Sequence, residues 1–374
     1  MKSRSELKQI KCCVIKIGSA VLTANGQGLN RPAINDWVAQ ISQLKSRGID
    51  VIVVSSGSVA EGMVRLGWNK RPHALQELQA AASVGQMGLI QAYEQSFQSH
   101  GSKTAQVLLT HDDLSNRTRY LNARATIKTL LKLSVVPIIN ENDVVATEEL
   151  RVGDNDTLGA IIANLMGADL LMILTDQLGF FDADPRVNPN ARLISQASVN
   201  DKKLDLAATG GSGALGRGGM ATKLTAARLA SRSGSATIIA PGLKDQVILD
   251  IIDGQSIGSL LVPEEAPVSA RKRWLTAHLD IKGQLVLDAG AVKALTKSGV
   301  SVLPVGVQAV KGRFERGELV SCIDQQGKEL ARGLVNYNYL DVDKIKQHKS
   351  TDIEGILGFV AEPELIHRDN LVLT

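Results

Sequence analysis

The chain has few of the residues that build disulfide, metal or ester-hydrolysis chemistry. It has three cysteines in 374 residues, two of them adjacent at Cys12 and Cys13 in an apolar run. That number cannot make a disulfide framework and lacks metal-ligand spacing, so all three are expected as reduced core residues. The six histidines are scattered. Neither H-E-x-x-H nor G-x-S-x-G occurs, and the metalloenzyme and serine-hydrolase readings fall away. The charge of +4 is spread thinly and does not call for a nucleic-acid partner. No apolar run approaches the ~20 residues that span a bilayer. The apolar stretch behind the basic residues of MKSRSELKQIK is too short for a secretory signal core, so a cytoplasmic location and no membrane association are expected.

What is present has a clear rhythm. Short β-branched runs at Cys12–Ile17, Val51–Ser55, Ala105–Leu109, Val135–Asn140, Leu170–Thr175 and Ala236–Ala240 alternate with segments of helical spacing at Pro32–Lys45, Ala74–Phe97, Tyr120–Leu133 and Gly219–Ser233. This predicts the α/β class: a mostly parallel sheet sandwiched by helices. The texture changes after about residue 265. A Pro- and charge-bearing linker, PEEAPVSARKRW, leads to short strands expected at Ser301–Leu303, Gly306–Val310, Leu319–Ile323 and Leu330–Val335. Their close spacing predicts a small β-rich, barrel-like C-terminal domain, with the boundary near Ala270.

In an open parallel sheet, ligands bind beyond the carboxyl ends of the strands. Four predicted strands end in polar, glycine-bearing or acidic loops: Lys16-Ile17-Gly18-Ser19, Ser55-Ser56-Gly57-Ser58, Asn140-Glu141-Asn142-Asp143 and Thr175-Asp176. Any one of them reads equally as a turn; four together suggest a site. Gly153-Asp154-Asn155-Asp156 precedes a helical pattern running to Gly167. Capping explains one such residue but not three, and a helix N-terminus also offers donors to an anion. A second glycine cluster, Gly210 to Gly219, opens a helix bearing Thr222 and Lys223. Gly211 to Gly216 match G-x-G-x-x-G, but Leu204–Thr209 is a poor strand, so the dinucleotide reading is rejected; the P-loop pattern is absent. A backbone-donor loop with a lysine one turn into the helix suits phosphates.

The segments VIKIGSAVLT, VIVVSSGSVAEG, QAAASVGQ, LLTHDDLSNRTRYLNAR, VPIINENDVVAT, RVGDNDTLGA, ILTDQLGFFDADPR and GRGGMATK together resemble the amino-acid kinase family, in its glutamate-phosphorylating branch. The C-terminal part, with GRFERGE, resembles a PUA domain. The resemblance implies a kinase domain over residues 1–265, a linker over 266–276 and a PUA-like domain over 277–374. It implies ATP-dependent phosphorylation of the γ-carboxylate of L-glutamate, the first step of proline biosynthesis, with Mg2+ carried on ATP. Lys16 and Lys223 would neutralise the transferring phosphoryl group, oriented by Asp156. Ser56, Gly57, Asn140, Asp143 and Asn155 would hold the amino acid. Lys16, Thr175, Asp176, Arg217, Gly218, Gly219, Met220, Ala221, Thr222 and Lys223 would hold ATP. Arg217 departs from the pattern, standing where the family has a small hydroxyl residue.

The resemblance further implies feedback inhibition by proline, an NADPH-dependent glutamyl-phosphate reductase as the next enzyme, and a homo-oligomer, dimer or tetramer. A glutamate carboxylate is already ionised at neutral pH, so the obstacle to transfer is repulsion between anions rather than the lack of a base. Sister kinases acting on aspartate, N-acetylglutamate, carbamate or a nucleoside monophosphate more often carry Gly-Gly after the first lysine, where this chain has Ile17-Gly18. RNA binding by the C-terminal domain is the competing class of function. From Arg271 onward there are 15 Lys and Arg against 13 Asp and Glu, with few aromatics, and this argues against it. An inactive structural relative is disfavoured because every charged position the chemistry requires is present.

Overall fold

The computed structural model describes all residues except 2, 24–27, 147–154, 210–218, 265–279, 299 and 374. It divides into two compact units, Met1–Leu114 with Arg124–Ala270, and Ser115–Ala123 with Arg271–Thr374.

The first unit is built on one sheet. Its strands are β1 (Cys12–Ile17), β2 (Asp50–Ser55), β3 (Lys103–Leu109), β4 (Val135–Glu141), β5 (Leu170–Thr175), β6 (Gln196–Ser198), β7 (Ala236–Pro241) and β8 (Ser259–Val262), in the order β3-β4-β2-β1-β5-β7-β8-β6. All pairings are parallel except β7 with β8. The central strands read as continuous apolar runs because helices cover both faces: β5, LLMILT, is buried along its whole length. Cys13, Ile15 and Ile17 point into one core with Trp37, Tyr93 and Phe97. Each such fully buried Ile contributes about 1.5–3 kcal/mol.

The helices expected from spacing form at Arg31–Ser46, Leu75–Gln98, Arg117–Lys132 and Met220–Ser231. The first shows why local sequence suffices. Asn30 accepts a hydrogen bond from the Ala33 amide at 3.2 Å, Pro32 sits in the first turn, and Ile34, Trp37, Val38, Ile41 and Leu44 bury one face. Leu204–Thr209, rejected as a strand, lies within a helix, Lys202–Thr209.

The second unit carries a five-stranded sheet in the order β10-β9-β11-β12-β13, formed by β9 (Gly283–Leu287), β10 (Val307–Gly312), β11 (Leu319–Ile323), β12 (Glu329–Leu334) and β13 (Leu371–Leu373). Leu285, Phe314, Val320, Cys322 and Tyr337 form its core. The strand expected at Ser301–Leu303 shrinks to a single bridge between Val302 and Ile366. The physical reason follows it in the chain: Pro304 lacks an amide donor and starts a tight 3-10 turn, Pro304–Gly306. The three cysteines are free. Burial pushes the Cys12 and Cys322 thiols up to about 12 and that of Cys13 well above the usual thiol range, so all three stay protonated, Cys13 and Cys322 in the cores and Cys12 half-buried.

Candidate active site

The sheet has its topological switch at β1. The chain runs from β1 to β2 on one side and later returns to β5 on the other, so a crevice opens beyond the carboxyl end of β1. The register sets what gathers there. Ile17 pairs with Ser55 and with Leu174, and Val54 pairs with Ile139. Gly18, Ser56, Asn140 and Thr175 therefore emerge along one edge of four adjacent strands.

Lys16 points to the face opposite Ile15 and Ile17 and runs beneath the Asn155–Met166 helix. Gly159 faces this stretch of the sheet, where a Cβ would stand 3.3 Å from Leu171 Cδ1 and 3.4 Å from the Lys16 Cβ. The same helix starts with Asn155 and Asp156. Asp156 is 1% exposed and holds two buried lysines, with Lys16 Nζ at 2.5 Å from one carboxylate oxygen and Lys223 Nζ at 2.9 Å from the other. Burial pushes the Asp156 carboxyl up, but the charges and hydrogen bonds of the two lysines outweigh burial and bring it down to about 2. Asp156 is thus an anion at any working pH, and the three groups together carry a net charge of +1 in a buried place. Such a place is built for an anion.

A second, uncharged group lies beside it. The Asn155 amide nitrogen shares its two hydrogens among three acceptors, the Ser55 carbonyl at 3.1 Å, Ser56 Oγ at 3.0 Å and Asn140 Oδ1 at 3.0 Å. Ser58 Oγ donates to Asp143 at 3.0 Å, and Asp143 is half-buried. Gly57 joins these residues. It sits at φ +96°, where only glycine is comfortable, and a Cβ there would press on Leu22 at 2.9 Å. Ser56, Gly57, Asn140, Asp143 and Asn155 are thereby brought together.

On the other side, Thr175 is buried and its hydroxyl donates to the exposed Asp176 at 3.0 Å. Gly219 precedes the Met220–Ser231 helix, in which Thr222 Oγ1 returns to the Gly219 carbonyl at 2.7 Å and Lys223 turns inward. Met220 and Thr222 are half-buried and Ala221 is exposed. Arg217 and Gly218, together with Asp154, lie outside the described residues.

One member of the cluster is not among the sequence candidates. Gln86, on the Leu75–Gln98 helix, accepts from the Asn140 amide nitrogen at 2.8 Å. The signal that finds it is periodicity: Gln86, Leu89 and Tyr93 share one buried face, and a polar residue on an apolar face needs a partner. Tyr93 supplies the anchor, its hydroxyl 3.1 Å from Ser55 Oγ.

Comparison with known proteins agrees with this geometry. The model of the amino acid kinase family matches residues 11–240, and that of the PUA domain matches residues 283–357. A protein of Methylococcus capsulatus named glutamate 5-kinase is 59% identical over 100% of both chains. Proteins of the same name from Nitrosococcus oceani and Pseudomonas paraeruginosa are 58% and 60% identical, covering 99% and 96% of this chain and 99% and 97% of their own. With two lysines and one aspartate buried at the switch point of its sheet, and with matches of this extent, the chain belongs to the amino acid kinase family.

Proposed function

We propose that this chain transfers the γ-phosphoryl group of ATP to the γ-carboxylate of L-glutamate, giving glutamyl 5-phosphate at the head of proline biosynthesis. The observation that carries the reading is the Lys16–Asp156–Lys223 group, buried and one positive charge in excess, next to an amide and hydroxyl cluster. Full-length relatives named glutamate 5-kinase support the choice of acceptor.

The chemistry follows from charge. Both reacting partners are anions, so the barrier is their mutual repulsion and the spread of charge over the transferring group. Lys16 and Lys223 approach from two elements, and their common bond to Asp156 fixes both ammonium groups before substrates arrive, so little reorganisation is needed during transfer. No general base takes part, because the acceptor carboxylate is already ionised. Thr175, Asp176 and the segment from Arg217 to Lys223 hold ATP, the glycine amides and the start of the Met220–Ser231 helix facing its phosphates. Ser56, Gly57, Asn140 and Asn155 hold glutamate by neutral hydrogen bonds, and Asp143 takes its α-ammonium group.

We place Mg2+ on the triphosphate, as the family resemblance implies, where it would neutralise phosphate oxygens alongside the lysines. The acyl phosphate product hydrolyses readily, which favours a reductase as the next enzyme, and proline as inhibitor would use the glutamate pocket.

The test is a hydroxylamine trap with ATP and Mg2+, comparing L-glutamate, L-aspartate, N-acetyl-L-glutamate and no acceptor. Hydroxamate is expected with L-glutamate alone. Folded, ATP-binding protein that forms hydroxamate only with another acceptor would overturn the assignment.

A further inference from the structure

The amide cluster has a direction, and its free end points to a ligand contact. Asn and Gln amides are assigned by their hydrogen-bond networks, and here the network admits one assignment. The Ser55 carbonyl can only accept, so the Asn155 atom that faces it is nitrogen. The same nitrogen faces Asn140, so Asn140 presents oxygen to Asn155 and nitrogen to Gln86. Gln86 must then receive that bond with its oxygen, and its own amide nitrogen becomes the end of the chain. Among the described residues that nitrogen has no acceptor, and it is closed to water. The Gln86 side chain is 9% exposed and its helix is fixed at both flanks: Tyr93 is bonded to Ser55, and Gly85 packs so tightly that a Cβ would stand 1.8 Å from the Ser58 carbonyl.

A buried donor without an acceptor is a standing cost that a bound acceptor removes. We propose that Gln86 is a substrate-binding residue whose amide nitrogen donates to the α-carboxylate of the amino-acid substrate. The proposal rests on the glutamate reading above. The reacting γ-carboxylate has to lie by Lys16 and Lys223, hence near Asn155, which adjoins Asp156. Gln86 stands two hydrogen bonds further along, on the side of Asn140 and of the loop carrying Asp143. That is where the α-carbon end of the same molecule falls.

The deciding variant is Gln86→Glu. It has the same shape and keeps an oxygen to accept from Asn140, so a residue that merely holds Asn140 in place would be unaffected. It replaces the donor with an anionic oxygen, which a carboxylate avoids. The measurement is steady-state kinetics with L-glutamate and with ATP, alongside thermal unfolding.

KM for L-glutamate is expected to rise at least about tenfold, from loss of a hydrogen bond to a charged group. Because that contact is equal in ground and transition states, kcat should stay within about threefold and KM for ATP within about twofold. An unchanged KM for L-glutamate would overturn the proposal. A fall in kcat at constant KM would overturn it too, by placing the donor on the reacting carboxylate. If Gln86→Glu does not fold, Gln86→Met decides: it also removes the donor, and an unchanged KM would have the same meaning. Wild-type protein that forms no hydroxamate with glutamate sinks the substrate reading, and this inference with it. Wild-type activity with unaltered variant kinetics sinks the Gln86 assignment alone.

Discussion

The two units treat buried polar groups differently. In the first, Lys16, Asp156 and Lys223 are nearly sealed from water yet carry a net positive charge, and Gln86 ends a buried amide chain with no acceptor among the described residues. In the second, Ser321 donates to Glu329 at 2.8 Å and Asn336 donates to the Glu364 carbonyl at 2.9 Å, both within the unit's own fold, while Arg316 Nε is buried with no acceptor among the described residues. A satisfied buried group contributes to stability and specifies packing. An incompletely satisfied one costs stability, and the cost is recovered only when something binds. What distinguishes the first unit is its buried ion group of net charge +1, a feature suited to an anion.

That contrast can be broken by substitution, and the largest effect is expected at the shared counter-ion. Asp156→Ala leaves two buried ammonium groups without their partner and should destabilise the protein by about 3–5 kcal/mol, read from urea unfolding. Unchanged stability would mean that the lysines escape to water and that the site is not preorganised. Next come Lys16→Ala and Lys223→Ala. Each leaves Asp156 paired with the remaining lysine, so folding should survive while kcat falls by roughly 10²- to 10³-fold. Turnover near wild type in both variants would remove the electrostatic account of catalysis. The smallest effect belongs to the second unit: Asn336→Ala should cost about 1 kcal/mol in unfolding experiments and leave kcat and both KM values unaltered. A change in KM for L-glutamate there would show that the contrast between the units is false.

Much of the fold is legible because its signals are local. β1, β2, β4, β5 and β7 stand where β-branched runs predict them. The central helices stand where the i, i+3, i+4 spacing predicts them, since a continuous apolar run suits a doubly covered strand and a stripe suits a helix. The edge strand β6 and its neighbour β8 are not among the sequence expectations. They are three and four residues long, and short strands owe their conformation to the neighbour they pair with. The same holds for the bridge at Val302, where Pro304 cuts the expected strand short.

The site divides along the same line. Residue types at strand ends and helix starts marked the loops and helix starts that carry Lys16, Ser56, Asn140, Asn155, Asp156, Thr175 and Lys223, because parallel sheets bring those positions to one edge, and the family resemblance picked these residues out. That Asp156 serves both lysines came from the family resemblance and from no local pattern. Lys16 and Lys223 are 207 residues apart in the numbering of the chain, and the packing of the Asn155–Met166 helix on β1 and of the Met220–Ser231 helix on that helix brings both ammonium groups to one carboxylate. Gln86 was overlooked for a related reason: on a helix in the middle of the chain, its polarity means nothing until Asn140 is placed against it.

The sequence by itself thus determined the element types, the parallel character of the sheet and the chemical classes at its carboxyl edge, since these follow from periodicity and from the chirality of strand connections. The tertiary structure alone decided how closely the two lysines meet Asp156 and which way the amide chain runs. Both depend on distances of about 3 Å between segments far apart in the chain, and no local pattern encodes a hydrogen bond of that kind.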